Sequence, residues 1–153
     1  MDRSRATGLT RLLQCYVRGP VTPIVMHQCS MDQWPRVKLE INFLPPTQGG
    51  RTKPPVLVSE QGTYRPHIVI GDPTQRSAIT IGNEIRETYL GVVFVSGPSN
   101  VLFGETIEAE AVLMHYPLPA HDSVVPGATF TIREGPKVVG YGLVKDVCLR
   151  NNA

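Results

Sequence analysis

The residue types that most often carry chemistry meet at one place in the chain, the adjacent trio His121-Asp122-Ser123. A catalytic triad needs hydrogen-bond contact in space beside an oxyanion site, whereas successive residues of an extended segment point in opposite directions. Between Pro119 and Pro126 the trio reads as a polar turn. The four histidines, His27, His67, His115 and His121, show no H-E-x-x-H or related spacing, so no metal site is expected. Cys15, Cys29 and Cys148 are odd in number and lack C-x-x-C spacing, which argues against a disulfide framework or zinc cage and for a reducing compartment. No G-x-x-x-x-G-K-[ST] run occurs, and Gly140-Tyr141-Gly142 lies in an apolar run where small residues permit close strand packing or a barrel bend. Neither a nucleotide cofactor nor an enzymatic activity is expected.

The elements that would position any site are read from punctuation and alternation. Fourteen glycines and fourteen prolines in 153 residues are about 18%, against roughly 12% in average proteins, and they are spread along the chain between apolar runs. That pattern predicts a turn-rich β protein of one domain. Val37, Leu39, Ile41 and Phe43 alternate with Lys38, Glu40 and Asn42, a half-buried strand. Residues 45–62 are too rich in breakers for regular structure, except around Val56 to Val58. Further strands are predicted over 64–70, 77–81, 88–96, 106–114, 129–133 and 138–147, with a bulge or corner at Gly91 and a turn at 134–137. Six or more short strands of this kind make an all-β sandwich or small closed barrel.

Charge is divided unevenly. Arg3, Arg5, Arg11 and Arg18 against Asp2 give residues 1–30 a net of +3, so the remainder carries −1 of the chain's +2. A nearly neutral body offers no broad basic field for nucleic acid. Residues 1–35 read as an N-terminal extension and 36–148 as the folded body. Leu9, Leu12, Leu13 and Tyr16 recur at helical spacing before Gly19-Pro20; a short amphipathic helix, a transit-peptide-like leader and a loose extension are all compatible with that stretch. No run of about 18 apolar residues occurs, so no membrane span is expected, and the chain reads as cytoplasmic.

Several segments, in this order, resemble the C-terminal (third) domain of bacterial elongation factor Tu: Gly49-Gly50-Arg51-Thr52 with Pro54, then Tyr64-Arg65-Pro66, then Phe130-Thr131-Ile132-Arg133-Glu134-Gly135 followed by Val139-Gly140-Tyr141-Gly142. The resemblance spans about 37–147, with specific motifs at its two ends and weak ones between. It implies a closed six-stranded antiparallel barrel without the GTPase domain, acting by binding to aminoacyl-tRNA stems or to proteins. It further implies Arg51, Glu134 and Gly135 as RNA-contact positions. Thr52 stands where the family often has histidine, His67 where it has glutamine, and Pro136-Lys137 where it has Gly-Arg; Lys53 beside Thr52 could still reach a phosphate. Residues 71–89 are longer than the family's connection and read as an inserted hairpin or loop.

The expected function is that of a noncatalytic binding module acting by protein–protein interaction with translation-related partners; the alternative is a tRNA-stem-binding translation accessory. The inserted segment and the apolar residues Val101, Leu102 and Phe103 are the expected protein-binding surface. Arg51, Thr52, Lys53, His67, Glu134, Gly135 and Lys137 are the RNA-binding candidates. Glu134 is informative because a carboxylate near RNA must accept from a 2′-hydroxyl or base amine; otherwise it bonds nearby backbone N–H groups in its turn. Gly49, Gly50 and Gly135 are expected at positive φ, and Tyr64 is expected to pack on the barrel with the Arg65 cation beside it.

Overall fold

A computed structural model describes residues 34–60 and 62–148. The readings made for residues 7–18 lie outside these. Ten strands form among the described residues: β1 (Arg36–Phe43), β2 (Val58–Ser59), β3 (Gly62–Thr63), β4 (His67–Ile70), β5 (Thr80–Ile81), β6 (Glu84–Ile85), β7 (Leu90–Ser96), β8 (Ile107–Leu113), β9 (Thr129–Glu134) and β10 (Lys137–Cys148). Six of them close into an antiparallel barrel in the order β1-β10-β9-β4-β7-β8, with β8 returning to β1. Closure leaves the barrel sheet without an unpaired edge strand.

The alternation in β1 is the clearest case of sequence dictating register. Val37, Leu39, Ile41 and Phe43 all point inward and are buried, while the residues between them are half-exposed. Ile68 of β4, Leu90, Val92 and Phe94 of β7, Ala109 and Ala111 of β8, Phe130 and Ile132 of β9, and Val139 and Val144 of β10 fill the same interior. Each large side chain in such a core contributes about 1.5–3 kcal/mol by leaving water. The β9–β10 hairpin turns on two residues, Gly135 at φ +61 and Pro136, with Glu134 paired to Lys137. A glycine at positive φ in the first central position suits the right-handed twist of the flanking strands.

Gly142 lies where β1 crosses closest: a Cβ there would stand 2.3 Å from the Glu40 carbonyl oxygen. Close packing is therefore what this glycine supplies. Gly91 differs from expectation. It sits in regular ladder pairing with ordinary space around it, and the irregularity of β7 falls between Phe94 and Ser96.

The run over 77–81 forms no strand of the barrel and meets it through an isolated bridge of Ser77 to Lys137. Its last two residues form β5, which pairs with β6 in a separate two-stranded ribbon within the segment 71–89. Residues 101–103 also depart from expectation as a binding surface. Val101 is buried, Phe103 packs against the core, and Leu102 alone of the three is largely exposed. Apolar side chains in a loop that can reach the core are buried there before they can offer themselves to a partner. No helix among the described residues is long and apolar enough to cross a membrane.

Candidate functional site

The candidates gather around the β9–β10 turn and the loop after β1. That loop bends through a 3-10 turn (Pro46–Gln48) closed by Gly49 at φ +83. Gly50 follows, and not in the expected positive-φ role: a Cβ on it would lie 1.8 Å from the Leu44 carbonyl oxygen, so close backbone approach is what excludes a side chain. This fold-back delivers Arg51 to Glu134, 83 positions away.

Arg51 Nη1 donates to Glu134 Oε2, and Arg51 Nε donates to the Lys53 carbonyl at 2.9 Å. Tyr64 Oη donates to the same Glu134 oxygen at 2.5 Å. The Tyr64 ring stacks on Phe94 with centroids 5.8 Å apart and meets Phe43 edge-on at 6.0 Å, while the Arg51 guanidinium lies 5.5 Å from its centroid. Tyr64 does pack on the barrel, but its cation is Arg51; Arg65 is exposed. Glu134 is thus held by two side chains, not by the backbone of its turn. Burial first, then the bond and charge of Glu134, push the Tyr64 phenol far above its ordinary range. Burial opposes the charge on Arg51, but the bonds and charges of Glu134 and Tyr64 together outweigh it and raise Arg51 further.

Among the described residues, Glu134 Oε1 and Arg51 Nη2 make no hydrogen bond, and both side chains are about one-third exposed. One acceptor atom and one donor atom of this half-exposed pair are thus left without a partner among the described residues. Thr52 and Lys53 are exposed next to Arg51, and Gly135 and Lys137 are exposed next to Glu134. His67 is exposed on β4 opposite Arg133, its ring 5.7 Å from that of Tyr89.

A second cluster was not among the candidates. Arg133 follows the alternation of β9 outward, yet its side chain is fully buried. Nη1 and Nη2 donate to the two oxygens of Glu87 at 2.8 Å each, Nε donates to Thr131 Oγ1 at 2.8 Å, and Nη1 reaches Tyr89 Oη at 3.2 Å. Glu87 also accepts from the Ile79 N–H at 2.8 Å and from Gln75 Nε2 at 2.6 Å. Arg133, foremost, with these further donors, brings the Glu87 carboxyl down to about 2 against its burial. The outward position of Arg133 was readable in the strand; its partner, 46 positions away, was not.

Through this pair the segment 71–89 is strapped along the barrel wall. Ser77 bridges to Lys137, and the Arg76 guanidinium lies 5.1 Å from the Tyr141 ring centroid. The ribbon at its tip leaves Ile79, Ile81 and Ile85 exposed by 55%, 63% and 41%. A groove of about 370 Å³ runs beneath the ribbon's base, lined by Val69, Ile70, Gln75, Ile79, Glu87 and Ala120 among others.

Among the described residues no group of His, Cys, Asp and Glu is arranged to hold a metal ion. His121, Asp122 and Ser123 occupy a 3-10 turn (Pro119–Ser123) in which His121 bonds to the Leu118 backbone and Ser123 Oγ to the Ala120 carbonyl. No hydrogen bond links the three side chains. Comparison of the chain with protein-family models and with curated proteins gives no match.

Proposed function

We propose that this chain is a noncatalytic, cytoplasmic binding module, similar in design to the third domain of elongation factor Tu, that acts by protein–protein interaction with translation-related partners. The contact is made by the β5–β6 ribbon. The observation that carries this reading is the exposure of three isoleucines on a ribbon fixed to the barrel by a buried, bidentate ion pair. A two-stranded ribbon is marginal by itself, and apolar side chains held out to solvent on a fixed arm mark an interaction surface. Ile85 pairs with Thr80, and the chain order places Ile79 and Ile81 on the opposite face, so a partner gripping the ribbon covers apolar area on both sides. Substituting Ile79→Asp and Ile81→Asp together should abolish capture of the protein partner while leaving the thermal midpoint within a few degrees of wild type. Retained capture by the folded double variant would refute the reading.

A second reading, a tRNA-stem contact, is favoured by the paired donor and acceptor at Arg51 Nη2 and Glu134 Oε1. A ribose 2′-hydroxyl both donates and accepts, and this pair matches it, with Lys53 and Lys137 beside it for phosphate. The test is tRNA binding against salt concentration: a steep fall with salt and loss in Glu134→Ala support it, and no binding at low salt excludes it.

A further inference from the structure

We propose that residues 115–124 form a proton-operated latch: neutral His121 holds the turn shut, and protonation of its ring releases the turn and moves Ala120 away from the groove beneath the β5–β6 ribbon.

His121 is 4% exposed and is bonded reciprocally to Leu118. The Leu118 N–H donates to His121 Nδ1 at 2.9 Å, and the His121 N–H donates to the Leu118 carbonyl at 2.9 Å. Val124 N–H then donates to the His121 carbonyl at 3.0 Å, continuing the turn into the core contact made by Val124. Because Nδ1 accepts, the ring's proton in the neutral form must reside on Nε2. Nε2 is buried and has no hydrogen-bond partner.

Adding a proton to Nδ1 turns an acceptor into a donor aimed at another donor, the Leu118 N–H. It also creates an imidazolium with neither ring nitrogen paired in the closed turn. Asp122 is the charged neighbour whose field favours the imidazolium, and it is exposed; Tyr116, whose ring centroid lies 5.2 Å away, is the other ionisable neighbour. Burial outweighs Asp122 and holds the His121 ring below its ordinary value. The closed turn is thus favoured by the neutral ring, fully so above about pH 6.5, and the preference is lost as pH falls from there toward the depressed folded value.

The turn is adjacent to the groove. Ala120, one residue before His121, lines it together with Ile79 at the base of the ribbon. The latch therefore bears on the surface assigned above to a partner, although the latch itself is read on the protein alone and stands or falls separately from that assignment.

The experiment is an NMR titration of the full chain from pH 7.5 to 4.5, following the His121 ring nitrogens, the Leu118 amide exchange rate corrected for intrinsic exchange, and the Ala120 and Ile79 methyl groups. The expected result is the Nε2–H tautomer at pH 7.5 and local opening at Leu118 that rises up to tenfold per pH unit below about 6.5, with the methyl shifts following. In His121→Asn, whose side-chain oxygen can accept from Leu118 but does not titrate, this pH dependence should vanish. An Nδ1–H tautomer at pH 7.5, or a His121 titration that leaves Leu118 exchange and Ala120 unmoved, would overturn the latch. The wild-type titration decides the matter by itself if the variant does not fold.

Discussion

Arg133 on the outer wall of the barrel and Glu87 in the segment 71–89 form a bidentate pair, with both N···O distances 2.8 Å and both side chains shielded from solvent. Two separate parts of the chain are joined by it into one surface. The guanidinium is satisfied on all three nitrogens, by Thr131, Glu87 and Tyr89, and the carboxylate accepts from two further donors. Such saturation is what allows a buried charge pair to persist against its desolvation cost.

Removing one partner leaves the other charged and unpaired. Glu87→Ala is expected to destabilise the protein by about 3–5 kcal/mol, whereas Arg133→Met with Glu87→Leu should lie much nearer wild type. Urea unfolding of the two variants checks this. Equal losses in both would mean that the strap, not the stranded charge, dominates.

Acid should loosen the strap before it unfolds the barrel. The Glu87 carboxyl stands at about 2 when folded, well below its ordinary 4.5, so its contribution is present above about pH 4.5 and is lost as pH falls toward 2. Amide exchange of the Ile79 N–H, which donates to Glu87, should accelerate over that window once intrinsic rates are removed. In Glu87→Gln this part of the pH dependence should disappear.

At the other cluster, Tyr64→Phe keeps the stack on Phe94 and deletes the hydroxyl bond to Glu134. A loss of about 1.5–3 kcal/mol is expected for a bond to a charged acceptor. Tyr64→Ala, which also empties the stack, should cost about 3–5 kcal/mol. Thermal melts of the two variants separate the bond from the packing.

Gly50→Ala tests the fold-back that delivers Arg51. The added methyl would overlap the Leu44 carbonyl, so the loop must move, and a loss of about 2 kcal/mol or more is expected. Gly49→Ala should strain the left-handed cap by a smaller amount, about 1 kcal/mol, because open space surrounds its Cβ.

Much of the barrel was legible in the chain because its signals are local. Val37, Leu39, Ile41 and Phe43 declare one inward face by period two, and Gly135-Pro136 between two apolar runs declares a tight hairpin. What stayed hidden depends on partners far apart in sequence. The burial of Arg133 rests on Glu87, 46 positions away, and Val101 and Phe103 looked like a surface until the loop bearing them packed onto the core. His121 was read as part of a polar turn, but it is buried there and bonded reciprocally to Leu118. The Arg51–Glu134 contact lies between these cases. Both residues stand in motifs that the resemblance picked out, but their direct pairing and the shared Tyr64 hydroxyl needed the fold.

The most direct test of the binding function is capture from host lysate, after nuclease treatment, with the full chain carrying a photo-crosslinking side chain at Ile81. The prediction is one specific crosslinked protein that is lost in Ile79→Asp and unaffected in Glu134→Ala. Retention that instead requires intact tRNA and Glu134, with no protein crosslinked at Ile81, would contradict the account and transfer the function to the Arg51–Glu134 surface.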